Sequence, residues 1–124
     1  MPLIVQWEDD VRPLLGIYDE FKTKDGFTEV IYPAMDGNIY FLELSTGKAT
    51  RDPIALGVVT KGTATLDPRG YPLLYTGQGI PSTSEEGTRG AWFRVVSLIE
   101  NKVLWSFGGR DPFSPREWQA YDSS

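Results

Sequence analysis

Carboxylates are the groups in this sequence best suited to acid–base chemistry, because its 124 residues include neither histidine nor cysteine. Glu43 and Glu100 could form a glycosidase pair, which needs two carboxyl groups about 5–10 Å apart across a cleft. They lie in two segments that resemble each other, 37–48 and 90–102, each near the end of a predicted strand. A shared structural role is therefore the better interpretation, and the sequence predicts no catalytic residue.

Two acidic clusters have the composition of cation ligands. Glu8, Asp9 and Asp10 are adjacent in the chain, and adjacent carboxylates rarely converge on one ion. We interpret them as a solvated face. The segment Asp36-Gly37-Asn38 is explained by a hairpin turn, since Asp and Gly accept a positive φ. The sequence predicts neither a metal site nor a bound cofactor.

Aromatic and loop residues are the candidates for ligand or partner binding. Trp92 and Phe93 are neighbours on a predicted strand and point to opposite faces, so one of the two is expected to be exposed. The polar segment 79–90 is the longest predicted loop, and loops often carry function. Trp92 and three charged residues of this loop are therefore the predicted binding residues. These three are Glu85, Glu86 and Arg89.

Composition limits the classes of partner. The net charge of −5 argues against nucleic acid, whose binding depends on clustered Lys and Arg, and against docking on anionic membranes. Apolar stretches are only a few residues long, which predicts no membrane insertion. The absence of cysteine is compatible with the cytosol and with export, so it leaves the compartment open.

The pattern of apolar residues and turns predicts an all-β chain of consecutive antiparallel hairpins. Residues 1–26 are predicted to be a short turn of helix or an extended lead-in. Turns are expected at 35–38, 45–48, 67–70 and 100–102. Predicted strands are 28–32, 39–44, 49–54, 63–66, 71–77, 91–99 and 103–107, and 118–122 has the pattern of a further opening strand.

The segment 37–48 returns weakly at 90–102. Leu44 and Lys48 fall on Leu98 and Lys102, an offset of 54 residues. Hairpin repeats of about 40–50 residues are typical of β-propeller blades. The sequence therefore favours an incomplete propeller with a first unit at about 27–61, a second at 62–110 and the start of a third at 111–124.

The segment 36–48 resembles the blade motif of pyrroloquinoline-quinone-like β-propeller repeats. In that motif an Asp-Gly turn leads into a strand ending in Leu-Asp, followed by a Thr-Gly-Lys turn. Here Glu43 stands near the acidic position, and Thr46-Gly47-Lys48 forms the turn. The motif's Trp is replaced by Arg51-Asp52 in the first unit, whereas Trp105 lies at about the expected place in the second.

This resemblance implies a non-catalytic binding or scaffold segment, and suggests a location outside the cytoplasm. It leaves two alternatives open. The chain could be part of a quinone- or calcium-dependent oxidoreductase whose active residues lie elsewhere, or a module that binds glycan or peptide through Trp92.

Two blades would leave a first and a last sheet face uncovered. Apolar patches beyond a few hundred Å² are unusual on stable monomers. The expected occupants are a protein partner, a second copy of the chain, or residues 1–26 folded back as a cap. The side chains expected on these faces are Tyr40, Leu42, Tyr75, Val95 and Trp105.

Overall fold

A computed structural model describes residues 2–57, 64–78 and 92–108. In these ranges the chain forms eight strands, one short α-helix and one 3-10 turn, so the predicted all-β class is confirmed. The strands are β1 Leu3–Val5, β2 Glu29–Pro33, β3 Asn38–Glu43, β4 Ile54–Ala55, β5 Thr65–Leu66, β6 Leu73–Gln78, β7 Trp92–Ser97 and β8 Lys102–Gly108. The 3-10 turn spans Arg12–Leu14, and the helix α1 spans Asp19–Lys22.

The strands form two four-stranded antiparallel sheets, each with neighbouring strands in chain order. We call β1–β4 the N-terminal sheet and β5–β8 the C-terminal sheet. Short turns join β2 to β3, β5 to β6 and β7 to β8, at positions where the sequence predicted turns. Gly37 and Gly70 have φ angles of 90° and 87°, a region that strongly favours glycine, which explains the turns at 35–38 and 67–70.

Side chains alternate between a covered and an open face in both sheets. Ile31, Ile39 and Phe41 of the N-terminal sheet and Leu74 and Val96 of the C-terminal sheet lie in one buried hydrophobic cluster. Because successive strand residues point to opposite faces, their neighbours form an open face on each sheet. The N-terminal open face consists of Ile4, Val30, Tyr32, Tyr40 and Leu42, and the C-terminal open face of Thr65, Tyr75, Val95 and Trp105.

The predicted strand 49–54 is shorter than expected. Only Ile54–Ala55 pairs as a strand, after an isolated bridge between Leu42 and Ala49. Between them, the Thr50 amide donates to Phe41 while its carbonyl accepts from Tyr18, a residue outside the sheet. Pro53 follows and has no N–H to donate to a ladder. The ladder is therefore interrupted where the chain turns toward the lead-in.

Residues 2–26 contain the strand β1, the 3-10 turn and the helix α1. β1 pairs with β2 as the edge strand of the N-terminal sheet, and Trp7, Leu15, Ile17 and Phe21 enter the hydrophobic cluster. The segment also contacts the C-terminal sheet, since the Gly16 amide donates to the Leu98 carbonyl at 3.0 Å. It thus packs beside the core and leaves the N-terminal open face exposed, with Ile4 at 63% and Tyr32 at 42%.

Gly16 lies against the turn that joins β7 to β8. A Cβ at this position would lie 2.6 Å from the Ile99 carbonyl oxygen and 2.4 Å from Asn101 Nδ2. Contacts this short require a backbone shift, so we expect Gly16→Ala to lower the free energy of unfolding by about 1–3 kcal/mol. Urea denaturation measures the effect. Leu14→Ala, at an exposed position of the same segment, is the control and should change stability by less than about 0.5 kcal/mol. Equal effects of the two substitutions would contradict this packing.

Candidate functional site

The most extensive polar cluster among the described residues surrounds the buried carboxylate of Glu29. Glu29 lies on the covered face of β2 and is fully inaccessible to solvent. Arg51 binds it in a bidentate manner, with Nη2 2.8 Å from Oε1 and Nε 3.1 Å from Oε2. Trp7 Nε1 donates to Oε1 at 3.0 Å, and Thr50 Oγ1 donates to Oε2 at 2.6 Å. Both carboxylate oxygens therefore have two donors each.

The Arg51 guanidinium connects this carboxylate to the C-terminal sheet. Its Nη1 donates to the Leu98 carbonyl at 2.6 Å and to Asn101 Oδ1 at 2.9 Å. Its plane lies over the Phe41 ring, 4.5 Å from the centroid. Burial lowers the pKa of Arg51, while the charge of Glu29 opposes that shift. An arginine stays protonated at neutral pH, so Arg51 supplies a buried positive charge beside the Glu29 carboxylate.

Glu43 lies directly opposite Glu29 on β3 and is also buried. Two like charges at opposed positions would destabilise the strand pair unless each had its own counter-charge. Lys24 Nζ lies 2.6 Å from Glu43 Oε2, and Thr46 Oγ1 donates to Oε1 at 2.6 Å. The Lys24 ammonium, followed by Thr46, holds the pKa of Glu43 below its usual value. Each glutamate thus has its own counter-charge, Arg51 for Glu29 and Lys24 for Glu43.

The glycosidase pair considered from sequence has no support in the described contacts. Glu43 is bound by Lys24, whereas Glu100 lies in the turn after β7 and forms its own ion pair with Lys102 at 2.7 Å. Asp9 of the N-terminal acidic cluster pairs with Arg12 at 3.0 Å. No group of three acidic side chains in the described ranges is arranged to hold a metal ion.

Two aspartates organise the turns that the sequence predicted. Asp36 accepts the Asn38 amide at 2.9 Å and the Tyr40 hydroxyl. Asp67 accepts Arg69 Nη2 at 2.8 Å and the Tyr75 hydroxyl at 2.5 Å. Hydrogen bonds from Tyr40 and Arg69, respectively, are the main reason that the pKa of each aspartate lies below its usual value. These are turn structures, as the sequence predicted for both segments.

The predicted binding residues lie mainly beyond what the structure describes. Trp92 begins β7 and pairs with Gln78 and Gly108. The loop residues Glu85, Glu86 and Arg89 lie outside the described ranges. The described ranges do expose another tryptophan, Trp105, which is 54% accessible on the C-terminal open face.

Sequence reasoning missed the Glu29–Arg51 cluster. The available signal was that Arg51 stands where the blade motif has Trp. An arginine at an otherwise apolar position indicates a buried acidic partner, since charged groups are rarely buried unpaired.

A β-bulge lies beside Trp105. Val95 pairs with Trp105 and Val96 with Val103, so Leu104 is an extra residue in β8. Leu104 and Trp105 are both about half exposed, at 51% and 54%. The bulge therefore presents two large apolar side chains in succession to solvent.

No helix in the described ranges is long and apolar enough to cross a membrane. Comparisons of the chain with protein-family models, with curated proteins and with solved structures found no match.

Removal of Arg51 should leave a buried, uncompensated carboxylate. We expect Arg51→Met to lower the free energy of unfolding by about 3–5 kcal/mol. Chemical denaturation followed by tryptophan fluorescence measures the change. The control is Lys102→Met, which removes one partner of an exposed ion pair and should cost about 0–1 kcal/mol. A similar small cost for both substitutions would show that the Glu29 cluster does not stabilise the fold.

The ion pair between Lys24 and Glu43 should make the stability of the fold depend on pH. The pKa of Glu43 is lower in the folded state than in the unfolded state, where it is about 4.3. The ionised carboxylate therefore stabilises the fold fully above the unfolded-state pKa. This stabilisation is lost as the pH falls through the folded-state pKa of Glu43. Lys24→Met should therefore be less stable than the unmodified chain at pH 7, and the difference should shrink below about pH 4. The control Lys22→Met removes a cation from the exposed pair with Asp19 and should show a difference that hardly changes with pH. A Lys24→Met difference that is constant from pH 7 to pH 3 would contradict the ion pair.

Proposed function

We propose that this chain is a non-catalytic binding or scaffold segment made of about two blades of a PQQ-like β-propeller. The observation that carries the proposal is the opposite orientation of corresponding residues in the two sheets. β3 and β7 are the third strands of their sheets, and the repeat offset places Phe41 on Val95 and Leu42 on Val96. Phe41 is buried whereas Val95 lies on the open face; Leu42 is exposed whereas Val96 is buried.

This pattern distinguishes between two ways of stacking two similar sheets. In a sandwich with two-fold symmetry, corresponding residues would face the same core and be buried together. In a stack of sheets that all have the same orientation, the front face of one sheet packs on the back face of the next. Corresponding residues are then covered in one sheet and open in the other. The second arrangement is that of propeller blades.

The second support for a non-catalytic role is the pairing of the buried polar side chains. Glu29 and Arg51 are almost completely inaccessible and bind each other, and Glu43 is occupied by Lys24 and Thr46. A general acid or base must reach a substrate proton, either directly or through one water. These carboxylates instead connect segments of the fold, and both open faces in the described ranges expose large apolar side chains, among them Leu42 and Trp105.

Thermal unfolding with candidate cofactors tests this proposal against the oxidoreductase alternative. Millimolar calcium and the quinone should leave Tm unchanged. A ligand at 100 times its Kd would stabilise a site by about 2.7 kcal/mol, on the order of 10 °C for a domain of this size. Magnesium at the same concentration is the control for ionic strength. A calcium- or quinone-dependent rise in Tm, reversed for calcium by a chelator, would refute the non-catalytic role.

A further inference from the structure

We propose that the N-terminal open face binds the C-terminal open face of a second copy of this chain, head to tail. The inference deepens the proposed function, on which it rests, by naming the partner and the two surfaces. Ile4, Val30 and Leu42 are aligned across three strands, and Tyr32 is paired with Tyr40 beside them.

The C-terminal open face is a similar row across four strands. Thr65, Tyr75, Val95 and Trp105 are successive partners in the ladder. Neither row contains a charged side chain. Two carboxylates border the rows: Asp36 accepts from the Tyr40 hydroxyl, and Asp67 accepts from the Tyr75 hydroxyl and pairs with Arg69.

Within one chain, the two sheets pack together through their covered faces. There, the covered face of the C-terminal sheet, with Leu74 and Val96, packs in the same cluster as the covered face of the N-terminal sheet, with Ile31 and Phe41. By strand position, Val30 and Leu42 correspond to Leu74 and Val96.

The C-terminal open face corresponds in the same way to the covered face of the N-terminal sheet. Tyr75 and Val95 take the positions of Ile31 and Phe41. The two open faces are thus the counterparts of two faces that already pack together. A second copy carries both counterparts, so it can cover either face by repeating the contact found within the chain.

The exposed area of each row limits the area that one contact between two copies can bury. Aromatic side chains bury about 150–250 Å² each, and Tyr32 and Trp105 are about half exposed, so each row offers on the order of a few hundred Å². One such contact falls at the low end of specific interfaces. Contact between unlike faces is heterologous, so it either closes a ring or grows into a filament. With four to eight blades per propeller, a closed ring would hold two to four copies.

Mass measurement on complementary variants tests the proposal. Light scattering coupled to size exclusion, from about 5 to 200 µM, should give a discrete species of two to four copies. Leu42→Glu blocks the N-terminal open face, and Trp105→Glu blocks the C-terminal open face. Each variant alone retains only one usable face and should be monomeric. An equimolar mixture should give a dimer, because one copy supplies each intact face.

The control is Leu14→Glu, which adds the same charge at an exposed leucine outside both faces and should assemble like the unmodified chain. Far-UV circular dichroism checks that each variant folds. If either face variant unfolds, Ile4→Glu at a 63% exposed position replaces the first and Trp105→Ser the second.

Three results would overturn the proposal. The unmodified chain could remain monomeric up to 200 µM. Leu42→Glu could abolish assembly while Trp105→Glu does not, which indicates contact between like faces. Both variants could assemble alone, which places the interface elsewhere. A monomeric chain that also shows no cofactor-dependent Tm shift would leave the non-catalytic role standing with a different partner, so the two proposals fail separately.

Discussion

The contact between Glu29 and Arg51 is the constraint on which the arrangement of the two sheets depends. Both side chains are buried, so neither charge can be satisfied by water, and removal of either partner would leave the other uncompensated. Their hydrogen bonds reach the lead-in through Trp7, the N-terminal sheet through Glu29 itself and the C-terminal sheet through the Leu98 carbonyl. Hydrophobic contact alone would allow sliding between the sheets, whereas directed hydrogen bonds fix one relative position.

The same cluster explains why the N-terminal sheet has an interrupted fourth strand. Thr50 and Arg51 direct their side chains to Glu29, and the Thr50 backbone bonds both to β3 and to Tyr18 of the lead-in. A continuous ladder from 49 to 54 would compete with the bond to the lead-in. The edge strand is therefore short, and Thr50 instead connects the N-terminal sheet to the lead-in. A shorter edge also offers fewer unpaired backbone groups to another chain.

Local signals were sufficient to predict the sheets and turns, and insufficient for the contacts between segments. The turns at Asp36-Gly37 and Asp67-Pro68 were predictable because their residue types have strong backbone preferences. Alternation predicted β2, β3, β6 and β7 closely. β1 was missed, since three residues carry too short a pattern, and the Glu29–Arg51 pair was missed because partners 22 residues apart leave no periodic signature. The open faces were predicted from composition and repeat, whereas their register required the strand pairing.

The described residues combine buried carboxylates that are paired with cations and exposed apolar side chains on the open faces. An enzyme keeps reactive groups accessible and partly unsatisfied, because they must bond to substrate. Here the buried carboxylates bond to neighbouring segments, while tyrosine, leucine and tryptophan side chains remain exposed in aligned rows. Aromatic side chains have few rotatable bonds and lose little conformational entropy on binding, and they are enriched at the centres of protein interfaces. The scaffold role that we propose therefore assigns the recognition of another folded surface to these two open faces.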